Sequence, residues 1–242
     1  MSQPPARLAV LLPGSGSDEV FLREAFGPAM AAAGVELRPH RPGAPVVTDY
    51  LRALDAAAEE TNGRLLVGGV SLGAHVAVQW AASRPGGCTG ILACLPAYIG
   101  RDDSAPAALA ARTSADLIRA YGLSRALELA TRDVPYWLAA ELKRAWRRQS
   151  DVLLDGLGAA ARHPGPKRDE LARVAVPAGL VGCVGDAVHP VDVARQWQEL
   201  MPKAALVEIS FDRFGGDRAI LGHAAVRALA KAAADGDDPA QA

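Results

Sequence analysis

Ser71 lies in the stretch Gly69-Val70-Ser71-Leu72-Gly73. The apolar run Leu65 to Val67 before it has the length and bounds of a buried strand. From Leu72 onward apolar residues recur at helical spacing through Val76 and Trp80. A serine at a sharp strand-to-helix junction presents its hydroxyl above the sheet, and glycines two before and two after let the chain segments pass one another. The next N–H, that of Leu72, points to the same spot from a helix N-terminus, where negative charge is favoured. Such a turn supplies a nucleophile and half of an oxyanion hole. The plainer reading is a strand-to-helix connection with packing glycines, but the strand before and the helix after favour the chemical one.

A serine hydroxyl becomes a useful nucleophile only when a base removes its proton, and the base needs an acid to orient its ring and offset the developing charge. Asp186 follows the strand-like run Val176 to Val184, and His223 ends the loop expected after the last strand, Ala205 to Ser210. These two are the expected acid and base. His189 stands only three residues from Asp186, and a base is expected to reach Ser71 from a different loop than its acid, so His189 is assigned to the start of the following helix. His75, four residues after Ser71, is expected as a buried, hydrogen-bonded packing residue, and His40 sits in a Pro-rich loop. Asp192, Asp212 and Asp217 rank below Asp186 as acids.

Gly14-Ser15-Gly16 joins a strand, Arg7 to Leu12, to a helix running to about Ala33. A phosphate cradle would need a Gly-Lys-Ser/Thr ending or a third glycine at position 19, which is Glu. The same exposed amides suit an oxyanion, with the Ser15 amide converging on that of Leu72. Ser17 or Asp18 as a helix N-cap is compatible with either reading.

The 242 residues are 50% hydrophobic and 22% charged, with a formal net charge of −1. That length suits one α/β domain with a packed core. Nothing in the charge pattern suggests a nucleic acid or a membrane surface as partner. No run has the form of a signal peptide or a membrane span, and a cytoplasmic location is expected. Cys88, Cys94 and Cys183 lack disulfide or metal-ligand spacing and read as small core residues.

Strands and helices alternate up to Cys88–Leu95, which implies right-handed crossovers and a parallel sheet covered on both faces. Residues 96–170 contain helical stretches and no strand, so they read as a helical lid on the ligand side of a core formed by 1–95 and 171–242. Tyr136, Trp137 and Trp146 would line a pocket beneath it or pack within it, and His163 in its exit loop is expected at the surface. Residues 211–222 are expected as a loop, with a terminal helix beginning at His223. Residues 1–6 and 235–242 are expected to be a frayed start and a disordered tail.

Taken together, these motifs resemble the α/β-hydrolase fold superfamily. Gly69 to Gly73 is similar to its nucleophile elbow, Gly185-Asp186 with Pro190 to its acid loop, Leu221-Gly222-His223 to its Gly-His, and Leu11 to Gly16 to its oxyanion strand-loop, although the usual His-Gly is Pro13-Gly14 here. The resemblance implies a mostly parallel sheet of about six strands with helices on both faces and a lid, lacking the family's opening antiparallel strands. It implies a Ser71, Asp186, His223 triad, with the amides of Ser15 and Leu72 as oxyanion donors. The implied activity is cleavage of a small or medium-sized ester or thioester without a metal or organic cofactor. Acyl transfer, C–C bond hydrolysis and non-catalytic binding of a small ligand remain alternatives, and the oligomeric state stays open. A serine nucleophile speaks against haloalkane or epoxide chemistry.

Overall fold

A computed structural model describes residues 6–236. Residues 1–5 and 237–242, where most of the expected frayed start and disordered tail fall, lie outside the described residues. Six strands form one parallel sheet: β1 (Leu8–Leu12), β2 (Glu36–Pro39), β3 (Leu65–Val70), β4 (Gly90–Cys94), β5 (Ala178–Val184) and β6 (Ala204–Ser210). Their spatial order is β2-β1-β3-β4-β5-β6. The chain leaves β1 toward one edge and β3 toward the other, so a crevice opens between the C-terminal ends of these two neighbours, where ligands bind in open α/β sheets.

Alternation along each strand divides the core. Ala9 and Leu11 of β1, Leu92 and Cys94 of β4, and Val181 and Cys183 of β5 face α1 (Glu19–Ala32) and α10 (Ala219–Gly236). Leu8, Val10, Leu12, Leu65, Val67 and Ile91 face α2 (Val46–Thr61), α3 (Leu72–Ser83) and α8 (Val191–Leu200). Each fully buried Leu, Val or Ile contributes roughly 1.5–3 kcal/mol, so covering both faces dominates stability. The near-continuous apolar runs of the strands are what two-sided burial demands. All three cysteines are free and buried, and burial pushes the Cys88 and Cys183 thiols up to about 12.

Between β4 and β5 the chain forms α4 (Pro106–Ala130), α5 (Tyr136–Arg148), α6 (Leu153–Ala160) and the short α7 (Arg168–Ala172). Gly122, at φ +75°, breaks α4 into two pieces. The α5 helix is anchored to the sheet domain through ions. Asp18, fully buried, caps α1 by accepting from the amides of Val20 and Phe21 at 3.0 and 3.2 Å. The same carboxylate accepts from Arg144 of α5 at 2.6 and 2.8 Å and from Arg148 at 3.2 Å. Arg148 also donates to Glu19 at 2.6 Å.

Residues 211–222, expected as a loop, are helical for most of their length, forming α9 (Phe211–Gly216) and the start of α10. Ser210 caps α9 by accepting from the Arg213 amide, and Asp217 accepts from the Ala219 amide at 2.9 Å. With two caps in a dozen residues, short helices replace the loop. Asp235 and Gly236 likewise extend α10.

Candidate active site

Ser71 has φ +53° and ψ −116°, a conformation that costs a non-glycine residue energy and persists only where its surroundings enforce it. The enforcement is visible in its glycines. A Cβ on Gly69 would stand 2.3 Å from the Leu12 carbonyl oxygen, and one on Gly73 only 2.1 Å from the same atom. The end of β1 therefore runs directly over the elbow. The Ser71 amide donates to Cys94 O at 3.0 Å, tying the turn to β4.

The residue that meets Ser71 is His189. Its Nε2 lies 3.0 Å from Ser71 Oγ, and its Nδ1 lies 2.9 Å from Asp186 Oδ2. A carboxylate can only accept, so Nδ1 carries the proton and Nε2 is left with a lone pair toward the hydroxyl. The other oxygen, Oδ1, accepts from the amides of Val188 and His189 at 2.8 and 3.1 Å. One carboxylate thus folds its own loop and orients the ring. Gly185, at φ +89°, starts the turn and Pro190 ends it. Burial pushes the Asp186 carboxyl up, but the hydrogen bond and charge of His189 and the two amides outweigh it, holding it below the ordinary carboxylate range.

His223 does not reach the site, correcting the expected triad. It lies exposed in the second turn of α10. The physical reason is Gly222, where a Cβ would stand 2.3 Å from the Ala25 carbonyl oxygen. Gly222 lets α10 press against α1, which turns the next side chain to solvent. The Gly-His pair is a helix-packing feature here. Acid and base do not need separate loops here, because a tight turn places residues three apart side by side. The available signal was Asp-x-x-His between a glycine and a proline.

The other histidines and acids have separate work. His40 pairs with Asp49 at 2.6 Å. His163 is part-buried, contrary to the expected surface position, with Nε2 2.8 Å from Gln79 Oε1. Asp192 pairs with Arg195 at 2.8 Å, and Asp212 and Asp217 are exposed. His75 is buried, as expected: its Nε2 accepts from the Ala97 amide at 3.0 Å and its ring packs on Tyr98 and Trp197. Burial, with the nearby His163 and His189 rings, lowers its pKa to about 3.

Above Ser71 lies a cavity of about 370 Å³, a size suited to a small organic ligand. Ser15 and Leu72 both line it. The loop carrying Ser15 lies against the elbow, since a Cβ on Gly14 would stand 3.5 Å from Ser71 Cβ. Tyr50 Oη fixes that loop by donating to Pro13 O at 3.0 Å, and the side-chain Nε2 of Gln149, at the end of α5, donates to Ser17 O. The far wall is apolar and comes from α4, α5 and α6, through Ala111, Trp137, Leu142, Trp146 and Leu157. Tyr136 is almost fully exposed and is not part of this wall. Trp137 is held by Arg218, whose guanidinium stacks 4.1 Å from the ring centroid. Among the described residues, no group of three or more His, Cys, Asp or Glu side chains could hold a metal ion, and no helix is long and apolar enough to cross a membrane.

No protein-family model matches the sequence, and a sequence search finds no curated relative. Solved structures do match in shape. A carboxylesterase structure from the ammonia-oxidizing thaumarchaeon Nitrososphaera gargenis aligns with TM-score 0.69 at 13% identity, covering 85% of this chain and 82% of that one. The enol-lactonase of Burkholderia xenovorans LB400 aligns with TM-score 0.66 at 17% identity, covering 96% and 92%. MGS-M2, an α/β hydrolase from a Medee basin deep-sea metagenome library, aligns with TM-score 0.61 at 14% identity, covering 91% and 90%. The chain has the α/β-hydrolase fold.

Proposed function

We propose that the protein is a serine hydrolase that cleaves an ester or thioester of small or medium size. The observation that carries this reading is the hydrogen-bonded series from Ser71 Oγ through His189 to Asp186. In that series Ser71 attacks the acyl carbonyl while His189 Nε2 takes its proton, and Asp186 steadies the resulting imidazolium. The carbonyl oxygen, now negative, is received by the amides of Leu72 and Ser15. His189 returns the proton to the departing alcohol or thiol. It then draws one from the water that attacks the acyl-enzyme, and Ser71 is regenerated.

The carboxylesterase and lactonase among the structural neighbours act on the same class of bond, which supports the reading at the level of reaction type. The cavity, with apolar walls and few polar groups beside Ser71, suits an acyl chain next to a reacting carbonyl. A fluorophosphonate probe tests the proposal. Stoichiometric labelling of the parent, absent in Ser71→Ala, is the expected result; a folded parent that takes no label and turns over no p-nitrophenyl ester overturns it.

A further inference from the structure

The loop from β1 to α1 hands its geometry along by hydrogen bonds. The peptide joining Gly14 to Ser15 is trans, so its C=O and N–H share a plane and point opposite ways. Fixing the Gly14 carbonyl therefore fixes the direction of the Ser15 N–H. That carbonyl accepts from the Ser17 amide at 3.1 Å. The Ser17 carbonyl in turn accepts from Nε2 of Gln149. Among the described residues the Ser15 amide itself donates to no backbone carbonyl.

Gln149 holds this series from a rigid corner. It is buried at the end of α5, and its own main chain is bonded on both sides. Its amide donates to Ala145 O at 3.0 Å, and its carbonyl accepts from the amides of Val152 and Leu153 at 2.9 and 2.7 Å. Gln149 does not line the cavity above Ser71, so it acts on a ligand there only through the loop. Other residues of the helical insertion close on the same loop. A Cβ on Gly16 would stand 3.2 Å from Trp146 Nε1, and one on Gly156 of α6 would stand 3.4 Å from Ser15 O. Asp18, next after Ser17, is bound by Arg144 and Arg148.

Resting on the hydrolase reading above, we infer that Gln149 is a positioning residue for the oxyanion hole, aiming the Ser15 N–H through Ser17 and Gly14. The helical insertion is then a working part of the hole as well as the roof of the cavity. An oxyanion-hole donor acts on the charge that develops in the transition state more than on the bound ester. Loss of aim consequently lowers kcat and leaves KM nearly unmoved.

Gln149→Met keeps the length of the side chain and cannot donate. With p-nitrophenyl hexanoate, and with kcat normalised to sites titrated by a fluorophosphonate, kcat is expected to fall by about tenfold to a hundredfold. KM is expected to stay within about twofold. A pentyl trifluoromethyl ketone gives the second readout. Ser71 Oγ bonds to its carbonyl carbon, the hydroxyl proton passes to His189, and the carbonyl π pair moves onto the oxygen facing the hole. Its Ki is expected to rise by the factor by which kcat/KM falls, while the Ki of the corresponding secondary alcohol, which forms no oxyanion, holds steady.

An unchanged kcat in folded Gln149→Met overturns the inference and leaves hydrolysis at Ser71 intact. An equal rise in Ki for ketone and alcohol also overturns it, since that marks general loosening of the site. Gln149→Asn, whose amide sits on an arm one methylene shorter, serves where the Met variant does not fold. The same split of kcat from KM is expected at smaller size, and parental kcat overturns the inference. A folded parent that takes no fluorophosphonate label and turns over no ester overturns the hydrolase reading and this inference with it.

Discussion

His189 stands between Ser71 and Asp186, with Nε2 3.0 Å from the hydroxyl and Nδ1 2.9 Å from the carboxylate. His189→Ala is therefore expected to lower kcat on a p-nitrophenyl ester by about 10³-fold or more. His223→Ala, altering an exposed residue of α10, is expected to stay within about twofold of the parent. The reverse pattern would return the base to position 223.

Asp186 fixes the tautomer of His189, so Asp186→Asn presents a donor where an acceptor is required. A loss in kcat of about 10⁴-fold is expected, with the protein still folded because the amide oxygen can keep the bonds from Val188 and His189. Because the folded pKa is held below its ordinary value, Asp186 adds stability above the unfolded carboxylate pKa. That contribution is lost only as pH falls through the lower folded value. Chemical denaturation of both proteins at pH 7 and pH 3.5 checks this: the variant is expected to lose less.

His75 should make the protein acid-sensitive in a higher window. Its folded pKa is about 3 against 6.5 for the free side chain, so between those values the unfolded chain binds a proton that the folded chain does not. Stability from this group is full above about pH 6.5 and declines as pH falls, by about 2 kcal/mol from pH 7 to pH 5. In His75→Gln, where an amide oxygen can accept from Ala97, this part of the decline is expected to vanish. Equal declines in parent and variant would contradict the assignment.

Gly73→Ala would drive a methyl group to 2.1 Å from Leu12 O. Backbone must shift at the junction of β1, β3 and α3, and a loss above about 3 kcal/mol is expected. Thermal unfolding provides the measure, and an unchanged Tm would show that the elbow is looser than described.

Asp18→Ala removes both the α1 cap and the shared partner of Arg144 and Arg148. Loss of a cap alone costs about 1 kcal/mol, and breaking a buried ion pair on one side costs about 3–5 kcal/mol. Part of the second cost is relieved because Arg148 is half exposed, so a total near 3 kcal/mol is expected from denaturant titration.

Much of the architecture was readable in the amino-acid order because two-sided burial writes itself as apolar runs. Ser71 was readable because the elbow demands glycines at fixed offsets, and Asp186 because it follows a buried strand. His189 was not, since the reach of a side chain depends on how a loop folds back, and that depends on Asp186 bonding its own backbone. The Leu221-Gly222-His223 segment misled for a related reason: a glycine required for helix contact has the same letter as one required by a catalytic turn. The two caps that convert residues 211–222 from loop to helix are side-chain bonds of single residues, too local to stand out in hydrophobic periodicity.

A base and an acid built within four consecutive residues behave as one rigid piece. Displacement of the turn after β5 carries imidazole and carboxylate together and leaves their mutual spacing intact, so only the gap to the hydroxyl is open to drift. That gap is spanned by the ends of β3 and β5, and a single strand, β4, lies between them. The alignment of all three groups thus reduces to the width of one interposed strand, and β6 with its following helices is left to shape the cavity wall through Phe211 and Phe214.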